Sequence, residues 1–184
     1  ITAIRQLRAN GHKAFICSGR SRGNICAPKL FDVGFDGVIA ACGNHVEMDG
    51  KILHERILEP ELVKKIFDLT TEHRMPVVLE GPVKHWLSET GFEEDPYVDY
   101  MIADMGEDAV FLHGYSDDIH INKFSADVLP YTNYEAIKSA LEDENVQLDS
   151  LKRKVRNWVN GKNLPSDREE VFQICFALSF DLDQ

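Results

Sequence analysis

Residues 15–24, FICSGRSRGN, run from an apolar segment into small, polar and cationic side chains. Ser18 offers a hydroxyl, Gly19 a backbone that a ligand can approach closely, and Arg20 a guanidinium. Placed where a strand meets a helix N-terminus, such a set suits an oxyanion. The same Ser18-Gly19-Arg20 can instead cap a following helix and form a turn, and the residue types leave both readings open.

Other groups with chemical potential are more scattered. His45, His54, His73, His85, His113 and His120 fall in no H-x-x-x-H spacing and beside no cysteine pair, which argues against zinc and for surface positions. Cys17, Cys26, Cys42 and Cys175 form no C-x-x-C; reduced thiols are expected, with Cys17 and Cys42 packing in apolar runs. Asp117-Asp118 reads as a solvated turn rather than a metal site. Lys123 is expected on a strand face with Ile119 and Ile121, its ammonium at the rim. Trp86, Phe92, Tyr97 and Tyr100 read as packing aromatics, with a groove over a ligand as the alternative. Glycine fingerprints for nucleotides and the G-x-S-x-G of serine hydrolases are absent.

The elements that must position these groups follow from periodicity. Ile1, Ile4 and Leu7 lie on one face of a helix ending near Gly11, so the chain is expected to open in mid-domain. Strands are expected at 13–17 and 37–41, with a helix at 23–30 between them, giving parallel strands of an α/β sheet. HVEMDGKIL turns at Asp49-Gly50 and reads as a hairpin projecting from that sheet. Pro60 starts a helix with the stripe Leu62, Val63, Ile66, Phe67 and Leu69, followed by a strand at 75–80. A helix at 96–105, a strand at 119–128 and a helix at 134–141 complete a second α+β unit.

The chain has 184 residues and a net charge of −11, a balance that suits a small substrate better than a nucleic-acid coat. The last 39 residues differ: 146–184 hold six Lys+Arg and six Asp+Glu, against 14 and 25 in 1–145. Ser166 with Glu169 forms a capping box there, ahead of Val171, Ile174, Cys175 and Leu178 on one helical face. No apolar run reaches membrane-spanning length and no leader is visible, so a soluble, cytoplasmic protein without a membrane partner is expected.

AIRQLRANGHKAFICSGR followed by FDGVIAACGNHVEMDGKIL resembles the haloacid dehalogenase-like (HAD) phosphatases, in particular the Cof-type branch. The likeness runs over about 1–145. It implies an α/β fold with a partial Rossmann-like core at 1–45 and an α+β cap at 46–145; beyond the likeness, the charge shift and the one-sided apolar residues make 146–184 a helical tail. By resemblance, Ser18 and the following amide of Gly19 hold a phosphoryl oxygen, Arg20 adds a charged contact, and Asn44 reaches a substrate oxygen. The implied activity is hydrolysis of small phosphate monoesters, sugar phosphates among them, through an aspartyl-phosphate with Mg²⁺. No D-x-D precedes Ser18, and neither the family's Lys nor its Gly-Asp-x-x-x-Asp pair can be placed. The chain as given is therefore expected to be inactive, with no catalytic residue or metal ligand of its own. VRNWVNGKNLPSDREEVFQICFALSFDLDQ resembles the later helices of phage-repressor-like helix-turn-helix domains, which makes a DNA-binding or regulatory role through 146–184 the alternative.

Overall fold

The computed structural model describes residues 2–26, 28–93 and 95–142. The expectations for 146–184, including the helix-turn-helix likeness and Cys175, lie outside them.

The first half builds a four-stranded sheet. Helix α1 (Thr2–Ala9) ends ahead of Gly11, whose φ of 86° reverses the chain. Strand β1 (Phe15–Cys17) then pairs in parallel with β2 (Gly37–Ala40), Ile16 opposite Val38. Ile16, Ile25, Val38 and Ala40 form a small buried core, with Leu30 and Phe35 packed against it. The helix expected at 23–30 is replaced by a short 3₁₀ turn at Arg22–Asn24 and one helical turn, α2 (Pro28–Phe31). Pro28 pre-sets a helical start but cannot extend one backwards through Ile25 and Cys26.

Beyond β2, the hairpin of β3 (His45–Met48) and β4 (Lys51–Glu55) turns at Asp49 and Gly50, with φ of 50° and 73°. These positive values are what a two-residue hairpin turn asks of Asp-Gly. The hairpin does not project from the sheet. It extends it, β3 pairing antiparallel with β2 so that Ala40 faces His45, because β3 continues straight from the turn that ends β2.

A second sheet follows residues 56–59. Helix α3 (Pro60–Glu72) buries Val63, Ile66 and Thr70, one stripe at helical spacing, and Thr70 Oγ1 donates back to the Ile66 carbonyl. Strand β5 (Val77–Glu80) is buried throughout and lies inside the sheet order β7-β6-β5-β8. Its neighbours are β6 (His85–Ser88) and β8 (Lys123–Ala126), both antiparallel to it. Helix α4 (Pro96–Met105) crosses from β6 to β7 (Ala109–Leu112), which is parallel to β6. Asp95 caps α4, its carboxylate accepting from the Tyr97 N–H at 2.9 Å. Helix α5 (Tyr134–Glu142) ends the described residues.

The second sheet is packed on both faces. Leu79, Val77, Ile121, Val63, Ile66, Ile137 and Leu141 form the core beneath α3 and α5. Val78, Leu87, Val98, Met101 and Met105 form another beneath α4. The strand expected over 119–128 is shorter, because Ile119 and Ile121 precede it and fill the α3/α5 core. Lys123 lies opposite Glu80 in the register, while its neighbour Phe124 lies opposite Leu79. Alternation therefore puts Lys123 on the α4 side, away from Ile119 and Ile121.

Candidate functional site

Strand β1 delivers Ser18 to the carboxyl end of the sheet. The Ser18 N–H donates to the Ile39 carbonyl at 2.8 Å, which carries the parallel ladder one residue past the strand. The Ser18 side chain is buried, and its Oγ accepts the Arg20 N–H at 3.0 Å. That contact makes the turn which the capping alternative foresees, but it uses only an acceptor site of the hydroxyl and leaves its proton to be donated.

The backbone around Ser18 is fixed from β2 as well. Ala41 N–H donates to the Arg20 carbonyl at 2.6 Å, and Cys42 N–H to the Ser18 carbonyl at 3.4 Å. Ala41, Cys42 and Gly43 take φ of 51°, 56° and 94°, a left-handed run that aims these amides at the 18–20 turn. The Gly19 N–H donates to no group among the described residues. A Cβ added to Gly19 would stand 3.5 Å from Cys42 Sγ, an ordinary contact, so packing within the protein does not itself demand glycine here.

The second unit grips the segment that follows. Ser21 Oγ is hydrogen-bonded to His85 Nε2 of β6, both side chains fully buried. Asn24 Nδ2 donates to the Tyr97 hydroxyl at 2.9 Å, and the Arg20 guanidinium lies 5.8 Å from the centre of the Tyr97 ring. At Gly23 a Cβ would come within 2.5 Å of the Val83 carbonyl oxygen, so only glycine fits between the two units. Asn44 Nδ2 donates to the Asn122 carbonyl at 3.0 Å, and Asn122 Nδ2 to the Arg56 carbonyl at 2.8 Å. Ser18, Gly19 and Arg20 thus stand together, while Asn44 is a tether to the second unit.

Behind this seam, Lys123, Glu80 and His85 form a row across β8, β5 and β6. Lys123 Nζ donates to Glu80 Oε1 at 2.6 Å, and Ser125 Oγ donates to the same oxygen at 2.5 Å. Burial alone would push the Glu80 carboxyl up; Lys123, His85 and Ser125 outweigh it and hold it below the ordinary carboxylate value. Burial likewise disfavours the Lys123 ammonium, yet Glu80 keeps it above its ordinary value. The His85 imidazole is pushed down by burial, with Lys123 acting in the same sense and Glu80 against. The Lys123 ammonium is therefore held by Glu80 rather than free at a rim, since a buried carboxylate needs it.

Several expectations change accordingly. His45 and His85 are buried, His45 Nδ1 meeting Glu55 Oε1 at 2.8 Å. Cys42 is exposed because the left-handed turn rotates it outward from the apolar run, whereas Cys17 is half-buried. Trp86 and Phe92 pack against the two cores, while Tyr97 and Tyr100 remain 43% and 53% exposed. Asp118 accepts from Ser116 in a turn. Sequence reasoning missed His85 and Glu80; the alternation of HWLS opposite VVLE could have revealed both as inward-facing members of paired strands.

The donor set does not fit Mg²⁺. Among the described residues no three His, Cys, Asp or Glu side chains converge as ligands, and the 18–24 turn offers hydroxyls, an N–H and cations, which suit an anion. No helix among the described residues is long and apolar enough to cross a membrane.

Three kinds of comparison bear on this arrangement. The family model for haloacid dehalogenase-like hydrolases matches residues 1–163, further than the 1–145 of the motif resemblance. No curated protein matches the chain in the sequence comparison. Among solved structures, a member of a phosphoryl-transfer superfamily, studied for its trigonal-bipyramidal intermediate, aligns at a TM-score of 0.57 and 14% identity, over 76% of this chain and 52% of its own. A Plasmodium vivax protein described as HAD/COF-like aligns at 0.56 and 15%, over 76% of this chain and 53% of its own. A haloacid dehalogenase-like hydrolase from Bacteroides thetaiotaomicron aligns at 0.57 and 13%, over 95% of this chain and 76% of its own. At these identities the structures show a shared fold, and the chain spans about half the length of the first two. The match through 163 takes in part of the tail, and nothing in these comparisons supports a nucleic-acid partner.

Proposed function

This chain belongs to the haloacid dehalogenase-like hydrolase family, and from that premise we propose that its Ser18–Arg20 turn holds the phosphoryl group of small phosphate monoesters undergoing hydrolysis. The observation that carries the reading is the pairing of an unengaged Gly19 N–H with a Ser18 hydroxyl that still has a proton to give, side by side at the carboxyl end of a parallel strand. Arg20 adds positive charge, and a glycine that protein packing does not require leaves room for the ligand. Asn44 enters as the residue that ties this rim to the second unit. We place the division between core and cap at residues 56–58, beyond the paired hairpin, rather than at 45.

In this reading the chain's own residues bind and orient the anion. The nucleophilic aspartate that the resemblance implies would come from a further strand, for which β1, at the edge of its sheet among the described residues, has an open side. Mg²⁺ would supply charge screening with ligands from that part of the protein, and no step here is routed through it. Sugar phosphates are the substrates the resemblance favours. The test is a magnesium-dependent phosphate-release assay on the purified 184-residue chain with phosphate monoesters. The expected result is no turnover above buffer; sustained release would contradict the assignment of the nucleophile to another segment.

A further inference from the structure

We infer that His85 is a positioning residue for the anion turn: acting through Ser21, it fixes the segment that carries Ser18 and Gly19, so the second unit sets the geometry of capture by the first. This rests on the phosphoryl reading of the turn for its purpose, though not for its geometry.

The turn is anchored at two ends. On the β1 side, Ser18 is locked by the Ile39 carbonyl and by Cys42 N–H. Three residues on, Ser21 has no exposed surface, and its hydroxyl meets a His85 ring that is also fully buried. Nδ1 of that ring lies 3.3 Å from Met101 Sδ, which can only accept. The proton is therefore assigned to Nδ1, which leaves Nε2 as the acceptor and makes the Ser21 hydroxyl the donor. The groups facing the ring are Glu80 from β5, Lys123 from β8, Met101 from α4, and Ser21 from the turn. Gly23 against Val83 and Asn24 on Tyr97 continue the same grip. Only Gly19 and Arg20 lie between the two anchors, so a shift at Ser21 moves the amide that would face the anion.

The test uses amide NMR of the 184-residue chain and its inorganic phosphate affinity, in Ser21→Ala, His85→Phe and His85→Gln. Ser21→Ala and His85→Phe should displace the Gly19 and Arg20 amide signals in a common pattern and weaken phosphate binding about fivefold to tenfold, the loss of one buried hydrogen bond. His85→Gln, whose side-chain oxygen can accept from Ser21, should restore both. Should His85→Phe not fold, Ser21→Ala, a one-atom deletion, decides the matter. Unchanged Gly19 and Arg20 signals in folded Ser21→Ala would overturn the coupling, whatever the phosphate result. Displaced signals in a chain whose wild type binds no phosphate would instead overturn the anion reading and leave the coupling standing.

Discussion

Among the described residues the two sheets have four strands each, yet they are completed in different ways. The sheet of β5 to β8 has α3 and α5 on one face and α4 on the other, with a buried apolar core under each. Among the described residues, the sheet of β1 to β4 has one small core, a helix α1 that buries none of its residues, a wholly exposed β4, and β1 at an edge. The second unit therefore draws its stability from within, and the first leans on it at Ser21, Gly23, Asn24 and Asn44. Those contacts fall around the turn that carries Ser18, Gly19 and Arg20. What the difference teaches is that the candidate site belongs to the less complete unit and takes its rigidity from the more complete one.

The comparison can be broken most forcefully at Lys123. Lys123→Ala leaves Glu80 buried without its cation and should lower stability by about 3–5 kcal/mol, measured by urea unfolding at neutral pH. Acid should narrow that gap. In the wild type, the depressed Glu80 carboxyl contributes stability that is complete above the ordinary carboxylate range and is lost as pH falls through its lowered folded value. Without Lys123, burial pushes that carboxyl upward, so protonation relieves the variant while it weakens the wild type. A gap that is small at neutral pH, or constant with pH, would mean the second unit does not depend on its buried row.

A matched pair of truncations sharpens the contrast. Leu79→Ala, in the fully buried α3/α5 core, should cost about 2–5 kcal/mol. Ile52→Ala, on the exposed β4 with 59% of its surface open, should change stability by about 0.5 kcal/mol or less. Equal losses would show that β4 is covered in solution, contrary to the open first sheet.

Local signals made much of this fold legible. Pro60, Pro96 and the Asp49-Gly50 turn each act through their own backbone angles, so the helices and hairpin they govern follow from neighbouring residues alone. Strands β6 and β7 were not legible: four residues each, they are strands because β5 and α4 place partners beside them. The same holds for the row Lys123, Glu80 and His85, which distant segments bring together by register. Within the candidate site, Ser18, Gly19 and Arg20 could be read from residue type and the strand before them. Asn44 could be singled out only through the family resemblance, and its tether to Asn122 depends on tertiary contact.

The most direct test is a titration of inorganic phosphate into the 184-residue chain, followed at the Gly19 amide, with Ser18→Ala in parallel. The account predicts a saturable shift of that signal among the largest in the spectrum, lost or weakened about tenfold in Ser18→Ala while the fold is retained. A Gly19 signal that stays still as phosphate rises, or one that moves identically in Ser18→Ala, would contradict it.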